Sequence, residues 1–307
     1  MSNTPSDGDG TILVPIANRE TADRQLDTAI DIAADRSYRV LLVYVLDVPS
    51  QLSLEDGRRY LLADEDEALL EAAAKRVESN GIPVDHRIRI ARGVATGIVG
   101  AAEAYDVDVV LLGWRGRPPR ENIVLGNHLD KVLKNAECDV LVKRIKTPTP
   151  PTVDSILVPV AGGPHDELAA ETADSIARRN DASISLLHVL DPDDPELTVE
   201  EAEVFLAETA DWMGNSRSVN TKIIENADVS GAITDSTTKH DITVLGASRG
   251  GLIQRALVGT VSEAVGRHAA GTVILTKRYD PVRTRIQRLL RVVRILDGDV
   301  PFERISA

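Results

Sequence analysis

The chain has 307 residues, 48 acidic against 35 basic for a net charge of -13, and is 43% apolar but only 3% aromatic. That length allows two domains of ~100 to 200 residues each, with cores of Ala, Val, Leu and Ile, and the negative balance excludes a protein that spreads over nucleic-acid phosphates. Only eight of the basic residues are lysine, and few lysines among many carboxylates suit a halophilic cytoplasm, where salt screens the self-repulsion of an acidic surface.

Residues 1–10, MSNTPSDGDG, are polar with no apolar h-region, and read as a disordered tail and not a signal peptide. TILVPIAN at 11–18 predicts a strand, ETADRQLDTAIDIAADR a helix, and RVLLVYVLD a second strand ending in Leu-Asp. The acidic stretch LADEDEALLEAAAKRVESNG predicts a solvated helix whose early carboxylates suit the helix dipole. HRIRIARG at 86–93 is read as the fourth strand, and Gly93 opens the next helix, VATGIVGAAEAY.

A further strand, DVDVVLL, runs into the loop GWRGRPPRENIVLGN at 113–127. Its glycines Gly113, Gly116 and Gly126 let backbone amides turn toward a ligand without obstruction by Cβ, and a helix start at Asn127 can face a phosphate. Arg115, Arg117 and Arg120 in the same loop suit phosphate oxygens. CDVLVKR at 138–144 closes the unit. The lone cysteine, Cys138, excludes an internal disulfide and a thiolate zinc site, and is expected to be a buried thiol at a strand entry.

Residues 147–154, rich in proline between Pro148 and Pro151, form a short stiff linker, and the unit then repeats. SILVPVAG at 155–162 answers TILVPIAN, SISLLHVLD answers RVLLVYVLD, and VLGASRGGLIQRALVGT answers LLGWRGRPPRENIVLGN. Gly246, Gly259 and Thr260 keep the loop register, whereas Arg249 stands where the first copy has Gly116. Continuous Val, Ile and Leu strands alternating with helices predict two repeated, open, doubly wound α/β domains, each with a five-stranded parallel sheet, at 11–146 and 155–278. The last strands, 138–144 and 271–278, are expected to pair, giving an intramolecular pseudo-dimer with room for a further homodimer.

These motifs, in this order and duplicated, resemble the universal stress protein family, whose fold is of the adenine-nucleotide alpha-hydrolase type. The resemblance implies ATP or another nucleotide as ligand, on Gly113, Arg115, Gly116, Gly126 and Asn127 of the first copy and Gly246, Arg249, Gly259 and Thr260 of the second. In the family's ATP-binding branch an Asp ending the first strand bonds the adenine side. Here Ala17 and Ala161 replace it, so the binding implied is weak or altered. A missing hydrogen bond to a buried polar ligand group is worth ~1 to 3 kcal/mol.

No catalytic constellation is visible: His86, His128, His165, His188, His240 and His268 are each isolated from a nucleophile, and no metal is predicted. Two readings stand. One is a tandem, non-enzymatic stress-related sensor or regulator binding a nucleotide or other anion. The other is a partner-binding regulatory subunit without ligand, resembling modules that accompany membrane amino-acid transporters. No apolar run reaches the ~20 residues of a membrane helix, and a cytoplasmic protein is expected. Beyond the repeat, 279–307 is a basic extension in which 282–296 is expected to be an amphipathic helix carrying Arg285, Arg288 and Arg291.

Overall fold

The computed structural model describes residues 10–115, 125–146, 148–193, 198–213, 219–247 and 260–280. Gly116, Arg117, Arg120, Arg249, Gly259, the first nine residues and the 282–296 segment lie outside the described residues.

The first half runs β1 (Gly10–Pro15), α1 (Arg19–Arg36), β2 (Tyr38–Asp47), α2 (Leu54–Leu61), α3 (Asp64–Glu78), β3 (Val84–Ala91), α4 (Val94–Ala104), β4 (Val109–Trp114), α5 (Asn127–Asn135) and β5 (Asp139–Arg144). The second runs β6 (Ser155–Pro159), α6 (Pro164–Asn180), β7 (Ser183–Leu190), α7 (Val199–Asp211), β8 (Val219–Glu225), α8 (Val229–Thr237), β9 (Ile242–Gly246), α9 (Thr260–His268) and β10 (Thr272–Lys277). The segment expected as a fourth strand is the third, β3, at the edge of the sheet. Strand order is set by the crossover connections, which carry the chain outward from β1 to β2 and β3 before it returns to β4.

All ten strands form one sheet in the order β3-β2-β1-β4-β5-β10-β9-β6-β7-β8. Pairing is parallel within each half and antiparallel at the centre, where Ile274 faces Lys143 and Lys277 faces Val140. The expected pairing of the two last strands is therefore present, and it removes the edge that each half would otherwise expose. Helices cover both faces. One core joins Ile12, Val14 and Leu26 to Val158, Ile176 and Leu186 across both halves, and the other joins Leu13, Val110 and Val142 to Leu157, Leu245 and Val273.

Local chemistry fixes the helix that follows the first strand of each half. Asn18 caps α1 by accepting from the Thr21 amide at 3.0 Å. Pro164 opens α6, and Asp166 reaches back to the Gly163 amide at 3.0 Å. Both helices end on a left-handed residue, Ser37 with φ 56° and Asp181 with φ 58°. The two helices meet across the halves, where Arg36 donates to Ser175 at 2.9 Å and Asn180 to Asp31 at 3.1 Å. Arg278, just past β10, ties Asp139 of β5 to Glu167 and Glu171 of α6 at 2.6 to 3.2 Å.

Candidate functional site

Each half reverses strand order between its first and fourth strands, so the carboxyl ends of β1 and β4, and of β6 and β9, flank a crevice at a topological switch point. In the first half these ends carry Ala17, Asn18, Gly113 and Arg115. Ala17 and Arg115 are exposed, and Gly113 is the fifth residue of β4. The space above Gly113 belongs to α1: an added Cβ would lie 3.0 Å from Gln25 Cδ and 3.1 Å from Ile145 Cδ1. Gln25 is buried and donates to the Leu111 carbonyl at 3.3 Å. Packing of α1 onto the sheet is thus enough to require glycine at 113.

Gly126 differs. Its φ of +133° needs glycine, and among the described residues no atom lies within 4 Å of a Cβ built there, at the start of α5. Asn127 does not cap this helix. It is the first helical residue, Gly126 holds the cap position, and no side chain bonds the cap amides. The amides of the first turn therefore face outward beside exposed Asn127 and His128, an arrangement suited to an anion. Asp130 works against this in part, since its Oδ1 accepts from the Leu125 amide at 3.2 Å and adds negative charge to the turn.

The second crevice holds a carboxylate of its own. Asp166 is buried, and its Oδ2 accepts from the amides of Ala161 at 2.8 Å and Gly163 at 3.0 Å. A Cβ on Gly246 would sit 2.7 Å from Asp166 Oδ1 and 2.9 Å from His165 Cβ. The residues that stand where a ligand would approach Gly246 are thus His165 and Asp166. Burial pushes the Asp166 carboxyl above its ordinary value, and the amides of Ala161, Gly163 and Gly162, with His188, pull it back. Thr260 begins α9, whose first turn is locked to the sheet by Ser262, donating to the Gly246 carbonyl at 2.8 Å.

Sequence reasoning named a glycine frame, of which Gly116 and Gly259 lie outside the described residues, and did not name Asp166 or Gln25. The signal for Asp166 was present as Gly163-Pro164-His165-Asp166, with proline at the first helical position and an acid two further on. His188, within the predicted strand SISLLHVLD, is buried in β7 with Nδ1 2.8 Å from the Val160 carbonyl. Cys138 is buried at the entry to β5, as expected. Among the described residues no group of three or more His, Cys, Asp or Glu is placed to hold a metal ion, and no helix is long and apolar enough to cross a membrane.

A parallel doubly wound sheet, duplicated in one chain with a switch point in each copy, defines a tandem protein of the doubly wound α/β class. The Universal stress protein family model matches residues 10–144 and 152–277, and the chain belongs to that family. It is 30% identical over 136 residues to Universal stress protein MJ0531 of Methanocaldococcus jannaschii, covering 43% of this chain and 79% of that protein. It is 32% identical over 143 residues to Universal stress protein A homolog 2 of Coxiella burnetii, covering 44% of this chain and 94% of that one. In fold it resembles a universal stress protein from Archaeoglobus fulgidus, with TM-score 0.63 at 17% identity over 88% of this chain and 97% of the other. The cytoplasmic domain of a prokaryotic cation chloride cotransporter shares the fold, with TM-score 0.59 at 13% identity over 88% and 96% of the two chains.

Proposed function

We propose that this tandem universal stress protein is a non-enzymatic regulator that takes a nucleotide or similar anion weakly, at the crevice of its first half. The observation that supports this reading is the asymmetry between the crevices. The first offers the positive-φ turn at Gly126, uncapped helix amides and exposed Arg115, whereas Asp166 occupies the second and would repel phosphate. Ala17 offers no side-chain acceptor to an adenine amine, so discrimination among nucleotides should be poor. Gly113, Gly116, Gly126 and Asn127 are then the frame, and Gly246, Arg249, Gly259 and Thr260 the corresponding frame of a closed site.

Titration calorimetry of the full chain with ATP, ADP and GTP tests this. Affinities should be ~10 micromolar or weaker and similar for the three, a binding free energy of about -7 kcal/mol at most. Arg115→Ala should weaken all three, and Ala17→Asp should tighten the adenine nucleotides alone. If neither wild type nor Ala17→Asp binds at millimolar nucleotide, the reading fails.

The second reading, a partner-binding regulatory subunit, draws on α2. Among the described residues this helix has no counterpart between β7 and α7, and it exposes Leu54, Tyr60 and Leu61 at 44%, 65% and 40%. Exposed large apolar side chains of this kind suit a protein partner such as a transporter domain. Pull-down from a membrane extract with wild type and Tyr60→Glu tests it. Equal recovery of any partner by the two would remove α2 from the argument.

A further inference from the structure

Beside the second crevice, a pocket of about 220 Å³ lies between α6 and α7. It is smaller than the ~300 to 1,000 Å³ of pockets for drug-sized ligands, so its occupant must be small. The chemistry of its wall is one-sided. Asp166, Glu167 and Glu208 line it with Phe205 and Trp212, and among the described residues no lysine, arginine or histidine does. The groove at the other end of the sheet, under α2, shows the contrast: there Arg58 and Arg87 face Glu67 and Glu71.

The aromatic surface is unusual for this chain, which has only two Phe and two Trp, one of each in this wall. Trp114 is buried at 2%, whereas Trp212 stands 56% exposed. Its surface faces the pocket and solvent, where an indole is available to a ligand. Phe205 is held in place by the β6–α6 loop: Gly162 has φ +76°, and a Cβ there would meet three Phe205 ring atoms at 2.8 Å. Behind Phe205, 6.1 Å between centroids, lies His188, whose Nε2 is buried without a hydrogen-bond partner.

Only part of the negative charge is spent on cations of the protein. Glu167 shares Arg278 with Glu171, but Asp166 is satisfied by neutral amides, and Glu208 is exposed. An exposed carboxylate, Glu208, beside the half-buried Phe205 and the exposed Trp212 ring is the chemistry that recognises an ammonium group. Burial raises the Asp166 carboxyl, and the amides of Ala161, Gly163 and Gly162, with His188, offset this in part.

We propose that this pocket binds a small organic cation, with Phe205 and Trp212 supplying aromatic surface and Asp166 and Glu208 supplying negative charge. The two halves would then read ligands of opposite sign, and this site does not depend on the anion crevice of the first half.

The test is calorimetry of the full chain with tetramethylammonium chloride and with methylammonium chloride, each against sodium chloride at equal ionic strength. The first probe asks for aromatic faces, the second also for hydrogen-bond acceptors. At least one should give saturable heat where sodium gives none. Glu208→Gln should weaken binding by about two- to five-fold, Trp212→Ala by a similar factor, and Glu208→Lys should abolish it. Glu208 is exposed, so these variants should keep the wild-type circular dichroism, and loss of binding would not reflect loss of fold. If neither organic ion gives saturable heat, or if Glu208→Lys binds as wild type does, the proposal is overturned.

Discussion

Arg144 and Lys277 occupy equivalent positions of the two repeats, and each donates to the carbonyl end of the last helix in the opposite half. Arg144 reaches Gly266 at 3.1 Å, Arg267 at 3.2 Å and Ala269 at 2.7 Å, as well as Gly271, all at the end of α9. Lys277 donates to Leu133 in the last turn of α5. A cation at a helix C-terminus meets orphan carbonyls and the negative end of the dipole together. Each half thus completes the other's final helix. Arg144→Met should destabilise the chain by ~2 to 4 kcal/mol and Lys277→Met by ~1 to 3, because buried carbonyls lose their donors. Urea unfolding followed by circular dichroism would measure both, and losses under 0.5 kcal/mol would show that water replaces the caps.

Lys143 should contribute stability that rises in mild alkali, against the opposite contribution of Cys138, whose raised thiol favours the folded state less as pH climbs past 9.0. The lysine side chain is fully buried under α1, donating to the Arg24 carbonyl, and burial depresses its pKa to about 8. Asp27 and Asp31 pull that value up and Arg76 pushes it down. A lysine depressed in the folded state binds fewer protons there than in the unfolded chain between about 8 and 10.5. Its contribution to stability therefore increases with pH across that window. Lys143→Met should remove the rise, read as the slope of unfolding free energy against pH.

Cys138 should be inert in the folded protein. It is 8% exposed, and burial, with Asp139 and Asp108 adding to the effect, pushes its thiol up to about 12. A disulfide-forming thiol reagent at pH 8 should not modify the native chain and should modify it promptly in urea. Rapid labelling of the native form would contradict the packing at the entry to β5.

Ser37 ends α1 with φ 56°, a conformation that costs an L-residue ~1 to 2 kcal/mol relative to glycine. Ser37→Gly should therefore stabilise by ~0.5 kcal/mol, after its greater unfolded-state entropy is subtracted, and Ser37→Val should destabilise by ~1 kcal/mol. Thermal unfolding would show the two shifts in opposite directions.

The duplicated strands were readable because parallel strands covered on both faces must be continuously apolar, as VLLV in β2 and VVLL in β4 are. The central seam followed from the need to hide two edges. The α2 helix was not readable: it contains Gly57, a poor helix former, which is there because a Cβ would lie 2.4 Å from Val48 Cγ2. Asp166 was missed for a related reason. The resemblance directs attention to Ala161, and only the first turn of α6 brings a carboxylate five residues later back onto the Ala161 amide. The reciprocal caps of Arg144 and Lys277 join segments more than a hundred residues apart, a distance over which local sequence pattern carries no information.

The antiparallel seam between β5 and β10 also decides where the two mouths of the molecule point. Strands of the first half run opposite to those of the second, so their carboxyl ends emerge at opposite poles of one continuous sheet. A flat partner seated over one pole is blind to the other, and no ligand can bridge them. Lys277, donating to Leu133 in the last turn of α5, is a side-chain link from the first half into β10. The chain is built as two instruments facing away from each other and bolted at the back.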